Sequence, residues 1–179
     1  MSPLAPMLDR APRTVDEFLE MYDGVPGRYE FVDGEVVMMA NNTYAHGIMM
    51  VKLGAALLAV PDRFSVVAEG GLRTMRGMRF ADIVIVHTPD PTLRWNDEPV
   101  VAVEILSPST EREDRTRKRE EYQRFASLQH YLVISPTTPE ASLWTRGEAG
   151  WPSAAVELGG GDAIDLVAVD LSIPLAELY

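Results

Sequence analysis

Cysteine is absent from the 179 residues. That excludes disulfides, thiolate-bound zinc and thiol catalysis. Histidine occurs only at positions 46, 87 and 130, which leaves little room for a histidine-built metal centre. No apolar run approaches the ~20 residues that a membrane-spanning helix needs. The opening stretch has no apolar core of the kind a secretory signal carries. It predicts a flexible leader over 1–13 ahead of one domain over 14–179, in a cytoplasmic protein. Lysine is scarce too: of 16 basic residues, only Lys52 and Lys118 are lysine. What is present is the balance of a globular chain, 46% hydrophobic and 24% charged. The net charge of −11 argues against simple high-affinity binding of nucleic acid. That charge is uneven: residues 1–62 and 140–179 carry the acidic excess, while 63–139 hold 11 residues of each sign. A polyanion would have to dock on the middle stretch.

Local signals predict the elements. Thr14 and Glu17 form a capping box for a helix over Val15–Met21. Asp33-Gly34 marks a hairpin within Tyr29–Met39. Residues 44–59 carry a broad apolar helix face, ended by Pro61. Strands are expected at Phe64–Ala68, Arg79–His87 and Val100–Leu106. A break at Ser107-Pro108-Ser109 and a second capping box, Thr110 to Glu113, predict a helix reaching Ser127. Strands at Tyr131–Ile134, 141–146, 153–158 and 164–169 follow, with one helical turn at the end. A strand, a helix and another strand imply a parallel crossover. The earlier strands can pair antiparallel, so the whole predicts an α/β sandwich on a mixed sheet.

Two carboxylates interrupt strands that are otherwise apolar on both faces: Asp82 and Glu104. Desolvating a carboxylate costs several kcal/mol unless a partner compensates. The partner is an arginine such as Arg73, Arg76 or Arg79, a set of backbone donors, or a divalent cation. All-oxygen ligands suit Mg²⁺ or Mn²⁺. In the next helix Asp114, Lys118 and Tyr122 are spaced i, i+4, i+8 and share a face. Tyr122 as a core anchor turns Lys118 toward Asp82 and Glu104. The other charges there read as helix-surface pairs, Glu111–Arg115, Glu113–Arg117 and Glu120–Arg124.

These residues resemble the PD-(D/E)xK nuclease superfamily, specifically the Uma-type family of restriction endonucleases. The resemblance rests on Tyr29 to Glu35, His46-Gly47, Ala81-Asp82-Ile83-Val84, Val103-Glu104-Ile105-Leu106-Ser107-Pro108-Ser109-Thr110, then Asp114, Lys118, Tyr122 and Tyr131 to Ile134. It implies a restriction endonuclease-like α/β/α sandwich with an N-terminal hairpin and a C-terminal β extension. It implies a metal-dependent endonuclease acting on DNA, with Mg²⁺ (or Mn²⁺) held by Asp82, Glu104 and the Ile105 carbonyl. Asp82, Glu104, Lys118 and Glu30 are the expected catalytic residues, with Glu30 at the rim of the pocket. Leu106 stands where the family's lysine stands, and the resemblance implies that Lys118 replaces it. His46 is expected to open its helix or to support the site from behind. Arg73, Arg76 and Arg79, or Arg112, Arg115 and Arg119, would hold the phosphate backbone. A non-catalytic scaffold on the same fold is the alternative. A hydrolase of small phosphate esters is a third reading, but Gly159-Gly160-Gly161 opens no helix and reads as a turn. A homodimer is expected, because one domain needs a second to contact both strands of a duplex. Ala141–Tyr179, rich in apolar side chains (Trp144, Trp151, Leu158, Ile164, Leu166, Val167), is the expected dimer surface.

Overall fold

A computed structural model describes residues 10–39, 41–107 and 113–179. The expected break at Pro108-Ser109, the start of the second capping box, Arg112 and most of the leader lie outside the described residues.

Helix α1 (Val15–Met21) is capped by Thr14, whose hydroxyl accepts the Glu17 N–H at 3.1 Å. Strands β1 (Tyr29–Val32) and β2 (Glu35–Met38) form the expected hairpin. Its two turn residues, Asp33 and Gly34, both have positive φ (52° and 85°), as a tight primed turn demands. Helix α2 (Tyr44–Leu57) is capped by the Thr43 hydroxyl. Strands β3 (Phe64–Thr74) and β4 (Gly77–His87) pair antiparallel along their whole length. β3 outruns the predicted Phe64–Ala68 because Gly70-Gly71 marks close packing rather than a turn. A Cβ on Gly71 would sit 2.5 Å from the Met78 side chain.

β5 (Pro99–Ile105) pairs parallel with β6 (His130–Ile134), the expected crossover. Between them run a π-helical turn (Asp114–Lys118) and helix α3 (Arg119–Tyr122). The predicted helix to Ser127 therefore stops early: the Arg124 and Phe125 N–H groups close tight three-residue turns on Glu121 and Tyr122, feeding Leu128 into the core. β7 (Ala141–Thr145) and β8 (Val156–Leu158) extend the sheet, giving the order β2-β1-β4-β5-β6-β7-β8 with β3 beside β4. β9 (Ala163–Leu166) and β10 (Leu171–Pro174) form a separate two-stranded sheet, followed by a 3₁₀ turn at Leu175–Leu178.

The central sheet is covered on both faces. Ile83, Ile85, Val101, Val103, Ile105, Leu132 and Ile134 pack under α2 and the C-terminal segment. The alternate residues Val84, Val86, Ala102, Tyr131 and Val133 pack with Tyr122 and Leu128. This is the α/β sandwich expected from the continuous apolar strands. The apolar residues assigned to a dimer surface are mostly spent inside the chain: Ile164 and Leu166 are fully buried and Trp144 nearly so. Ile164 and Leu166 close the core layer beneath α2 and Trp144 packs on the opposite face, so that of the six side chains named for that surface only Val167 is largely exposed.

One feature of the sheet builds a site. β3 occupies one edge of β4 throughout, so β1 and β5 share the other edge. β1 pairs at Gly77 and Met78, and β5 pairs from Ile83 onward. Arg79, Phe80, Ala81 and Asp82 lie in the fork between them. Backbone donors there lack a strand partner and must be satisfied otherwise.

Candidate active site

Carboxylates fill the fork. The Phe80 N–H donates to Glu30 Oε1 at 3.1 Å, and the Ile105 N–H donates to Asp82 Oδ2 at 2.7 Å. Asp82 Oδ2 also receives His46 Nε2 at 3.1 Å. A carboxylate only accepts, so Nε2 carries the proton in this pair. Both bonds fall on one oxygen; among the described residues no donor reaches Oδ1. His46 is buried at the start of α2, where the Thr43 cap holds its backbone, and its ring fixes the Asp82 carboxylate from behind.

Glu104 enters from β5. Its alternation with Ala102 points it toward Tyr122, whose hydroxyl donates to Oε1 at 3.0 Å. Lys118 Nζ stands 3.1 Å from Glu104 Oε2 and 3.2 Å from Asp114 Oδ1. The π turn delivers both Asp114 and Lys118 inward, as such turns often do at functional sites. The Asp114 backbone carbonyl accepts the Tyr131 hydroxyl at 2.7 Å, which pins the turn to β6. Asp82, Glu104, Lys118, Glu30, His46 and Ile105 all line one cavity of about 220 Å³. Asn41, Asn42 and Ser107 share its wall.

The electrostatics are lopsided. Among the described residues, Asp82, Glu104 and Asp114 bring three buried carboxylates against the one ammonium of Lys118. Burial pushes the Glu104 carboxyl well up; Lys118 opposes this, while Asp82, Asp114 and Glu30 add to it. Burial alone would lower the Lys118 ammonium, but the facing carboxylates Glu104, Asp114 and Glu30 outweigh it and raise its pKa, so it stays charged. Among the described residues, no group of three or more histidine, aspartate or glutamate side chains is placed to hold a metal ion by itself.

Several expected roles change. Glu30 is not at the rim: it is buried and bound to Arg79 Nη1 at 2.7 Å. Arg79 is itself sealed, with 2% of its side chain exposed, and also pairs with Glu121 and Glu113. It cannot hold a phosphate backbone. Arg73 pairs with Asp16 and Arg76 with Asp33, so none of these three arginines neutralises Asp82 or Glu104. Glu113 reaches Arg79 and Arg117 reaches Asp33 and Glu121, in place of the expected Glu113–Arg117 pair. Arg115 bonds the Ser142 hydroxyl, and Arg119 lies over the Trp144 ring. Asp114 lies on the inward face that its i, i+4 spacing to Lys118 predicts, and its role there, holding the Lys118 ammonium, is visible only in the structure. Nothing in the sequence marked Glu121 as a buried partner of Arg79.

Comparison with known proteins agrees with this architecture. A crystal structure of "a putative nuclease belonging to DUF820" from Anabaena variabilis superposes with a TM-score of 0.75, covering 94% of this chain and 98% of that one at 15% identity. It has the same fold, the restriction endonuclease-like arrangement expected above. An uncharacterized protein of Synechocystis is 25% identical over 186 residues, spanning 99% of this chain and 95% of that protein. Residues 15–176 match the family Uma2, described as "Putative restriction endonuclease", so the chain belongs to the Uma2 family.

Proposed function

We propose that the chain is a cytoplasmic, metal-dependent endonuclease that hydrolyses DNA phosphodiester bonds in the cavity at the β1–β4–β5 fork. The observation that carries this reading is the charged Lys118 held beside Glu104, in a cavity shared with Asp82 whose carboxylates exceed its cations. Such an excess fits a divalent cation. Asp82, Glu104 and the Ile105 carbonyl would hold Mg²⁺ or Mn²⁺, cations that prefer oxygen ligands. When bound, such a cation activates water and neutralises phosphate charge. Lys118 orients the attacking water and stabilises charge developing on the phosphate oxygens. Asp114 keeps the ammonium in place. His46 and the Ile105 N–H hold Asp82 in a single rotamer. Glu30, committed to Arg79, shapes the floor of the cavity.

The internal pairing of Arg73, Arg76 and Arg79 favours a second reading, a scaffold on the same fold that cleaves nothing. One experiment separates the two: supercoiled plasmid incubated with the protein in Mg²⁺, Mn²⁺ or EDTA. Cleavage that needs the cation and falls on the order of 10²-fold or more in Lys118→Met supports the nuclease. Absence of cleavage in Mg²⁺ and Mn²⁺ alike, with no thermal stabilisation by Mn²⁺, would establish the scaffold.

A further inference from the structure

Helix α2 is apolar on two sides. His46, Met49, Leu53 and Leu57 face inward and are buried. A second stripe faces water: Tyr44 is 94% exposed, Ile48 57%, Val51 73% and Leu58, at the C-cap, 71%, with Ala55 also exposed between them. A helix that is apolar all round is normally covered all round. The outer stripe is spaced 4-3-4-3, the seam of paired helices. Gly47 and Gly54 flank it, and a Cβ on either would meet nothing within 4 Å. That leaves open ground for a neighbour's side chains.

Charge selects the neighbour. Two copies of a chain of net charge −11 repel each other, so they can meet only on ground free of carboxylates. α2 carries no acidic residue in its 14 positions. Its one charged side chain, Lys52, is occupied by the carbonyl oxygens of Leu178 and Tyr179, both at 2.9 Å. No cation on the stripe is left for phosphate. The stripe is also complementary to itself. Turned antiparallel about Val51, Tyr44 meets the partner's Leu58, Ile48 meets the open ground at the partner's Gly54, and Val51 meets the partner's Val51. This is the isologous contact that a two-fold axis requires.

We propose that the outer face of α2 is the interface of a homodimer, in which α2 packs antiparallel against α2 of a second copy. The interface stands apart from the catalytic reading, because it is measured without substrate. If that reading also holds, the dimer places two cavities side by side, since the first turn of α2 carries His46 beside Asp82.

The cysteine-free chain permits a direct test. Val51→Cys sits on the two-fold axis, and Leu93→Cys is a control away from it that is also exposed. Mild oxidation at micromolar concentration is expected to double the mass of most Val51→Cys chains on a denaturing gel and of few Leu93→Cys chains. Sedimentation of the unmodified protein is expected to give twice the 19.8 kDa chain mass, reduced to one chain in Val51→Glu with an unchanged circular-dichroism melt. A monomeric wild type, a dimer that survives Val51→Glu, or equal cross-linking of the two cysteine variants would each overturn the proposal. So would a wild type that dimerises only after removal of residues 1–9, because that segment would then be the occupant of the stripe.

Discussion

A carboxylate in the middle of an apolar strand needs a compensating partner, and at Asp82 the partners are a backbone N–H and an imidazole rather than a cation. The effect of Asp82→Asn follows. The amide oxygen still accepts the Ile105 N–H, so the fork stays closed. Loss of a charge-assisted bond costs about 1 kcal/mol, and relief of repulsion on Glu104 and Asp114 returns a similar amount. Melts in EDTA are therefore expected to agree between variant and wild type to within a few degrees. Millimolar Mn²⁺ is expected to raise the wild-type midpoint only; ligand at a hundredfold its Kd contributes about 2.7 kcal/mol. An undiminished Mn²⁺ shift in Asp82→Asn would remove Asp82 from the cation site. At this scale the site was largely legible. Asp82 and Glu104 stood out because nothing polar surrounds them in sequence, and Lys118 because its helix spacing led to Tyr122. Arg79 was legible only as a cation near the strand carboxylates, since its partners Glu30 and Glu121 come from elements whose placement the sequence does not give.

Elements meet at Arg79. Its guanidinium joins β1 through Glu30, its own strand β4, and the helical arm through Glu113 and Glu121. Burial opposes its charge, but the bonds to Glu121 and Glu30 overcome that and raise its pKa further. A buried pair adds little over an apolar contact, yet removing one partner strands the other. Arg79→Met leaves Glu30 and Glu121, both buried, without this cation. It is expected to cost about 3–5 kcal/mol in urea unfolding at neutral pH. Arg76→Ala, which breaks an exposed pair with Asp33, is expected to cost about 0–1 kcal/mol. Equal losses in the two variants would refute the structural role of Arg79. The same contrast explains which elements could be foreseen. α1 and the hairpin form on local signals, Thr14 and Asp33-Gly34, and α2 on its own apolar periodicity, and all three appear where those signals lie. β3 and the π turn are decided by distant partners: the first by the Met78 side chain packed on Gly71, the second by Glu104 and Tyr131.

For the molecule as a whole, the C-terminal strands lie where alternation predicts them, but alternation shows only that Ile164 and Leu166 face something, not whether it is a second copy or the same chain. They pack on the central sheet of the same chain, and His130 secures the join. It lies fully buried in β6; its Nδ1 is 3.0 Å from the Thr145 hydroxyl and its Nε2 accepts the Ala168 N–H at 3.1 Å. That acceptor role requires the neutral ring. Burial pulls the His130 pKa down from 6.5 to about 4. Between those values the unfolded chain binds a proton that the folded chain refuses. The contribution to stability is therefore complete above pH 6.5, shrinks as pH falls, and is gone once pH has passed below about 4. At about 1.4 kcal/mol per tenfold change in proton affinity, its full size is on the order of 3 kcal/mol. His130→Gln keeps an acceptor toward Ala168 and removes the titration. Urea unfolding at pH 7.5, 6, 5 and 4.5 is expected to show the wild type losing more stability than the variant across this range. The carboxylates titrate alike in both proteins, so the difference between the curves isolates His130. Parallel curves would mean that Ala168 does not hold the ring neutral, and that the C-terminal segment is docked by its apolar side chains alone.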